Sequence, residues 1–176
     1  MSLEIEKQIN ELLKQGLIRP SSSPYGFNPV LDKKPNGTWR LTINYKKLNA
    51  ITIKNSRPIP KANIILRLLP TGGWYSVIDA KSGFWQIRLH PDSIEKTAFY
   101  ANGSLYEWLV MPFGLRNAPM TYVSLMSRVL DGLIMKFCFC YMDDIIVYSK
   151  TFEEHLEHIK QIFDRLKMAN LAINLE

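Results

Sequence analysis

No run of apolar residues in this chain approaches the roughly 20 that a membrane-spanning helix requires, and no charged start followed by an apolar core resembles a secretion signal. A membrane partner is therefore not expected. Cysteine is scarce as well, with Cys138 and Cys140 the only two. They occupy alternate positions of one predicted strand and so share a face. That spacing suits a reduced core pair better than a disulfide, and two residues cannot complete a zinc site unaided. An intracellular, reducing setting follows. Repeats and low-complexity tracts are missing. With 47% hydrophobic residues over 176 positions, the chain has apolar material for one compact domain or two small lobes, which argues against disorder. Acidic residues are thin over the front: residues 1–70 hold 12 Lys or Arg against 4 Asp or Glu, whereas residues 71–176 hold 10 against 12. The net charge of +6 thus conceals a strongly basic front and a slightly acidic back. This division suits a protein that holds a polyphosphate backbone beside a carboxylate metal site, although lysines that merely solvate a surface give the same count.

Along the chain, Ile5, Ile9, Leu12 and Leu13 form a stripe closed by Gly16, which predicts a short amphipathic helix over 3–15. Residues 20–26 read as turn and extended chain. Strands are expected over Phe27–Leu31 and Trp39–Tyr45 around Pro35-Asn36-Gly37, a basic hairpin that carries Lys33, Lys34 and Arg40. A short helix follows over 62–69, and Pro70 to Gly73 breaks the chain near an expected lobe junction. Tyr75–Asp79 reads as an apolar strand ending on a carboxylate, and Thr97–Tyr100 with Leu105–Val110 as a hairpin turned by Asn102-Gly103. A helix over 117–133, entered at Pro119, gathers Tyr122, Leu125, Met126, Val129 and Leu130 on one face. The last helix starts at Thr151, which forms a capping box with Glu154, and its apolar stripe is Leu156, Ile159, Phe163 and Leu166. Helices mixed with antiparallel hairpins predict an α+β fold.

The most informative stretch is Tyr141-Met142-Asp143-Asp144, two adjacent aspartates between the apolar runs Phe137 to Cys140 and Ile145 to Tyr148. Such runs suit a hairpin with the acids at its tip. Like charges this close raise each other's proton affinity unless a cation neutralises them, and hard oxygen ligands suit Mg²⁺. An ordinary solvated turn would use the same residues. Asp79, 64 positions before Asp143 and at the end of its own strand, offers a third carboxylate. Three such groups could form a clamp that stabilises attacking and leaving oxygens in phosphoryl transfer.

Four ordered motifs then carry a resemblance. They are Trp39-Arg40-Leu41 with Tyr45-Lys46-Lys47-Leu48-Asn49, Asp79 to Ile87, Met111 to Pro119 (MPFGLRNAP), and Tyr141 to Asp144. In this order and spacing the chain resembles reverse transcriptases, and its overall text is most like those of retroviruses and gypsy-type long-terminal-repeat retrotransposons. The resemblance implies a right-hand polymerase with fingers and palm: residues 1–70 mainly fingers, residues 71–176 mainly palm, with residues around 90–116 returning to the fingers. It implies an antiparallel palm sheet packed on helices, and a chain that stops before the thumb. The activity implied is RNA- and DNA-directed DNA synthesis, adding deoxynucleotides to a primer 3′-hydroxyl. Asp79 and Asp143 match the principal Mg²⁺ ligands, with Mn²⁺ as a substitute, Asp144 the supporting carboxylate and the Ala80 carbonyl a further oxygen.

By the same resemblance, Lys33 and Arg40 match residues that grip the incoming triphosphate. Phe84 matches the aromatic gate against a ribose 2′-hydroxyl, and Phe113 and Gly114 the segment beside nucleotide and template. Gln86, Asn117, Tyr141 and Met142 match positions near the template-primer. The implied partners are an RNA or DNA template-primer and deoxynucleoside triphosphates, within a longer polyprotein that supplies thumb and ribonuclease H. The pattern departs from the family at Asn44-Tyr45-Lys46, where relatives usually carry an acid and an arginine around the aromatic. That loss of an ion pair bears on finger rigidity rather than metal chemistry. A truncated or domesticated module that binds nucleic acid or a protein partner without synthesis is the competing expectation.

Overall fold

The computed structural model describes residues 2–33, 37–56, 67, 69–141 and 144–174. The turn expected at Pro35-Asn36, nearly all of the helix expected over 62–69, and Met142 and Asp143 lie outside these residues. The described chain divides into two compact units, Met1–Lys54 with Phe84–Ala118, and Asn55–Gly83 with Pro119–Glu176. It is an α+β chain of helices and antiparallel strands, and among the described residues no helix is long and apolar enough to cross a membrane.

In the first unit, a helix over Ser2–Lys14 buries Ile9 and Leu12 and ends at Gly16 with the paired bonds of a Schellman cap: Leu17 N–H donates to Leu12 O and Gly16 N–H to Leu13 O, both 3.0 Å. The capping glycine is therefore where the sequence placed it. Strand β1 (Ile18–Pro20) pairs with β6 (Ser104–Trp108), which pairs with β5 (Phe99–Ala101). β1 was not foreseen, because Pro20 and three serines masked a strand only three residues long. Strands β2 (Pro29–Lys33) and β3 (Trp39–Ile43) form the basic hairpin; β2 lies two residues further along than expected, and β3 starts at Trp39 as expected but ends two residues before Tyr45. The core gathers Ile9, Leu12, Ile18, Leu41, Ile43, Tyr45, Phe99 and Trp108. Tyr45 resolves the departure at Asn44-Tyr45-Lys46: its ring meets Phe27 edge-on at 5.2 Å and its hydroxyl donates to Thr97 O at 2.8 Å. Burial and a main-chain bond thus anchor this segment, with Asn44 and Lys46 both exposed. Burial also raises the proton affinity of the Tyr45 hydroxyl far above the usual phenol range, so it stays a donor.

The second unit is a three-stranded antiparallel sheet, order β4 (Trp74–Asp79), β8 (Asp144–Ser149), β7 (Cys138–Tyr141), backed by helices. Paired residues share a face, so Ile78, Ile145, Val147 and Cys138 form the buried side. Burial pushes the Cys138 thiol up to about 11 and, with Cys138 beside it, the Cys140 thiol to about 12, and both cysteines are unpaired as expected. The helix Ala118–Val129 buries Tyr122, Val123 and Met126, but stops four residues short of the expected end, where Leu133 N–H bonds to Leu130 O and the chain turns through Gly132.

The C-terminal helix, Phe152–Met168, has the expected capping box: Glu154 N–H donates to Thr151 Oγ1 at 3.2 Å, and Thr151 N–H to Glu154 Oε2 at 3.4 Å. Its buried face differs from the predicted stripe. His155, Ile162 and Leu166 face inward, whereas Leu156 and Phe163 are exposed. The strands offer hydroxyls there. Ser76 Oγ lies 2.8 Å from His155 Nε2, and Ser149 Oγ lies 2.9 Å from His155 Nδ1 and 2.7 Å from His158 Nδ1. Burial, then the neighbouring His158, hold the His155 pKa below its ordinary value. A depressed histidine pKa means that the unfolded chain takes up protons first as pH falls, so this contribution to stability is present above the ordinary value of about 6.5 and lost below it. We expect the melting temperature to drop by a few degrees between about pH 7 and pH 5, with a flatter profile in His155→Gln. Equal slopes in the two proteins would show that His155 does not carry the effect.

Candidate functional site

The register of the second sheet sets Asp79 of β4 directly opposite Asp144 of β8, and Asp144 opposite Tyr141 of β7. Both aspartates are exposed. Asp79, Asp144 and Tyr141 therefore share one end and one face of the sheet, the face away from the Ile78–Ile145 core. Directly opposed like charges are unfavourable in a sheet unless a cation stands between them. Only Met142 and Asp143 separate β7 from β8. Asp143, the third carboxylate, and Met142 lie outside the described residues. Among the described residues no group of three His, Cys, Asp or Glu side chains is close enough to hold a metal. The donor set nevertheless fits a hard cation: two opposed carboxylates, with the chain direction reversing beside them.

Beyond Asp79, Ala80 bridges to Ile173, with Asn174 N–H donating to Asp79 O at 2.9 Å and Lys81 N–H to Ala172 O at 3.2 Å. Neither bond uses the Ala80 carbonyl.

A second group of candidates meets within the first unit. The Arg40 guanidinium lies over the Phe113 ring, 5.3 Å from its centroid, and Phe84 approaches Phe113 with ring centroids 5.2 Å apart. Arg40 pairs with Asp32 across the hairpin, whereas Lys33 pairs with Trp39, so the two cations project from opposite faces. The structure brings Arg40, Phe84 and Phe113 together and leaves Lys33 apart. Gly114 has φ of +91°, and a Cβ there would sit 3.2 Å from Ile43 O, so the chain's own backbone favours glycine.

Asn49 is a residue that sequence reasoning quoted only as part of a motif. Its side-chain amide donates to Gly114 O at 2.7 Å and accepts from Arg116 N–H at 2.7 Å. Arg116 returns a bond to Asn49 O at 3.0 Å, and Asn117 Nδ2 donates to Ile53 O at 2.9 Å. Together they stitch the Phe113–Asn117 loop to the helix Lys46–Ile51 and its exit. The available signal was that Asn49 ends one quoted motif while Gly114 to Asn117 lie in another. Gln86 closes the 3-10 turn Gly83–Gln86 and is half-buried.

A model of the family described as reverse transcriptase (RNA-dependent DNA polymerase) matches residues 31–176, most of the chain. The chain belongs to the reverse transcriptase family. Over 99% of its length it is 44% identical to the retrovirus-related Pol polyprotein from transposon 297 of Drosophila melanogaster, and over 98% it is 38% identical to that from transposon gypsy of the same organism. It spans 17% of either polyprotein. Among solved structures it is similar to the foamy viral protease-reverse transcriptase in complex with RNA/DNA hybrid, with a TM-score of 0.90, 27% identity, and coverage of 99% of this chain and 23% of that one. A second foamy viral structure, in complex with double-stranded DNA, gives a TM-score of 0.91 at 28% identity, covering 98% of this chain and 30% of the other. The fold is thus that of a reverse transcriptase fingers-and-palm fragment.

Proposed function

We propose that this chain is the fingers-and-palm part of an RNA- and DNA-directed DNA polymerase that extends a primer 3′-hydroxyl with deoxynucleoside triphosphates. The observation that carries the reading is the pairing of Asp79 with Asp144 at one end of the sheet, in a chain of this family. In this reading the second unit with Asp79 and Asp144 is palm, and the first unit, including residues 84–118, is mainly fingers.

Asp79, Asp143 and Asp144, with the Ala80 carbonyl, would hold Mg²⁺ or Mn²⁺. Bound there, the cations supply charge neutralisation at the triphosphate and a lowered proton affinity at the primer hydroxyl. Arg40 donates to phosphate oxygens through its planar guanidinium. Lys33, on the other face of the hairpin, adds charge at longer range. Phe84 fills the space that a ribose 2′-oxygen would need, which selects deoxynucleotides. Phe113 and Gly114 flank nucleotide and template, while Gln86, Asn117, Tyr141 and Met142 meet template or primer. The foamy viral relatives bound to duplexes and the polyprotein relatives support a template-primer partner and an origin in a longer polyprotein.

The test is Mg²⁺-dependent extension of oligo(dT) on poly(rA) by the wild-type protein and by Asp143→Asn, in this chain and in the same chain restored to a polyprotein length. Incorporation should vanish in the mutant; equal extension by both would sink the catalytic assignment. Duplex binding without extension in the restored protein would favour a module that binds without synthesis.

A further inference from the structure

Arg40 is exposed on a hairpin, and a long cationic side chain in that position has several rotamers to lose when it binds phosphate. Here its guanidinium sits over Phe113, within the distance at which a ring face attracts a cation. Phe113 is itself held by two rings, Phe84 at 5.2 Å and Trp85 edge-on at 5.8 Å and 64°. Trp85 continues inward to Trp108 at 5.7 Å, and Trp108 to the fully buried Phe99 at 5.9 Å. A line of rings therefore runs from the unit's core to the guanidinium. Among the described residues, the buried indole N–H groups of Trp85 and Trp108 have no protein hydrogen-bond partner.

We propose that Trp85 is a positioning residue for the incoming nucleotide, acting through Phe113, whose ring face holds the Arg40 guanidinium in place before the triphosphate arrives. This inference rests on the reading of Arg40 as a triphosphate-binding residue. The ring at position 113 then contributes as a π-face and not only as apolar bulk, and Trp85 keeps that face turned toward Arg40.

Two measurements on the 176-residue chain test it. The first is the Arg40 Nε–H resonance in the free protein. Ring current from Phe113 should displace it, Phe113→Leu and Trp85→Leu should return it toward the value of a solvated arginine, and Trp85→Phe should keep it displaced. A resonance unmoved by Phe113→Leu overturns the proposal. The second is affinity for dTTP with Mg²⁺. Arg40→Ala, Phe113→Leu and Trp85→Leu should each weaken binding by about three- to fivefold, and Trp85→Phe should restore it. If Arg40→Ala weakens binding while Phe113→Leu and Trp85→Leu leave it level, the inference fails and the nucleotide site stands. If Arg40→Ala has no effect either, both fail. Should Trp85→Leu not fold, mono-, di- and trifluorinated phenylalanine at position 113 preserve shape while draining the ring face. Affinity should fall stepwise along that series, and a flat series overturns the proposal.

Discussion

Asp79→Asn should abolish primer extension while leaving the protein folded and slightly raising its melting temperature in metal-free buffer. The two effects share one cause. In the sheet, Asp79 stands directly opposite Asp144, and without a cation these exposed carboxylates repel each other across the strands. An amide in place of one carboxylate removes that repulsion and keeps shape and volume. The same change removes a charged oxygen donor from the proposed metal site. Because bound metal supplies several kcal/mol of transition-state stabilisation, and each 1.36 kcal/mol is tenfold in rate, the loss should be about a thousandfold or more. Extension on poly(rA) and thermal melting with and without Mg²⁺ read the two halves separately. Mg²⁺ should raise the wild-type melting temperature more than the mutant's. A mutant that melts lower than wild type without metal would mean that Asp79 is a structural residue, and retained extension would remove it from the chemistry.

Much of this arrangement was legible in the sequence because it is written in local patterns. The two strands flanking the aspartates, the Tyr75–Asp79 strand and the Thr151–Glu154 capping box depend on residues within one turn or one strand of each other, and among the described residues these elements form where the patterns place them. What escaped depends on partners far along the chain. The C-terminal helix buries His155 in preference to Leu156 because Ser76, 79 positions earlier, and Ser149 present hydroxyls to the imidazole, and apolar periodicity carries no trace of them. Gly114 belongs to a motif matched to the nucleotide and template side, and the close neighbour the fold itself sets beside it is Ile43 O, 3.2 Å from where a Cβ would stand, a contact between distant parts of the chain. Likewise the Arg40–Phe113 contact joins two motifs 73 positions apart, each of which suggested nucleotide binding without revealing that one holds the other. The separation of Lys33 from Arg40 also needed the register of β2 against β3, because the expected strand ended at Leu31, before Lys33.

We expect the register that opposes Asp79 to Asp144 to depend on the far end of the strand, where Gly73→Ala should be a strongly disruptive single methyl. Gly73 precedes β4 with φ of +121°, a backbone conformation that residues with a Cβ rarely adopt, and a Cβ there would stand 2.4 Å from Ser149 O. That oxygen is main chain at the end of β8, opposite Trp74, and cannot rotate away as a side chain would. Either the entry to β4 shifts or the ladder slips. Strain and displaced backbone together should cost about 2–4 kcal/mol, a fall of about 5–12 °C in melting temperature. A slip by one residue would send Asp79 to the opposite face from Asp144, so extension should fall further than stability alone explains. Hydrogen exchange separates the outcomes. Amides of β4 and β8 should lose protection while those of β5 and β6 in the first unit keep theirs. Melting within 1 °C of wild type would show that the close approach of Gly73 to Ser149 does not set the register, and that the pairing of the two carboxylates must be held by the Ile78–Ile145 core instead.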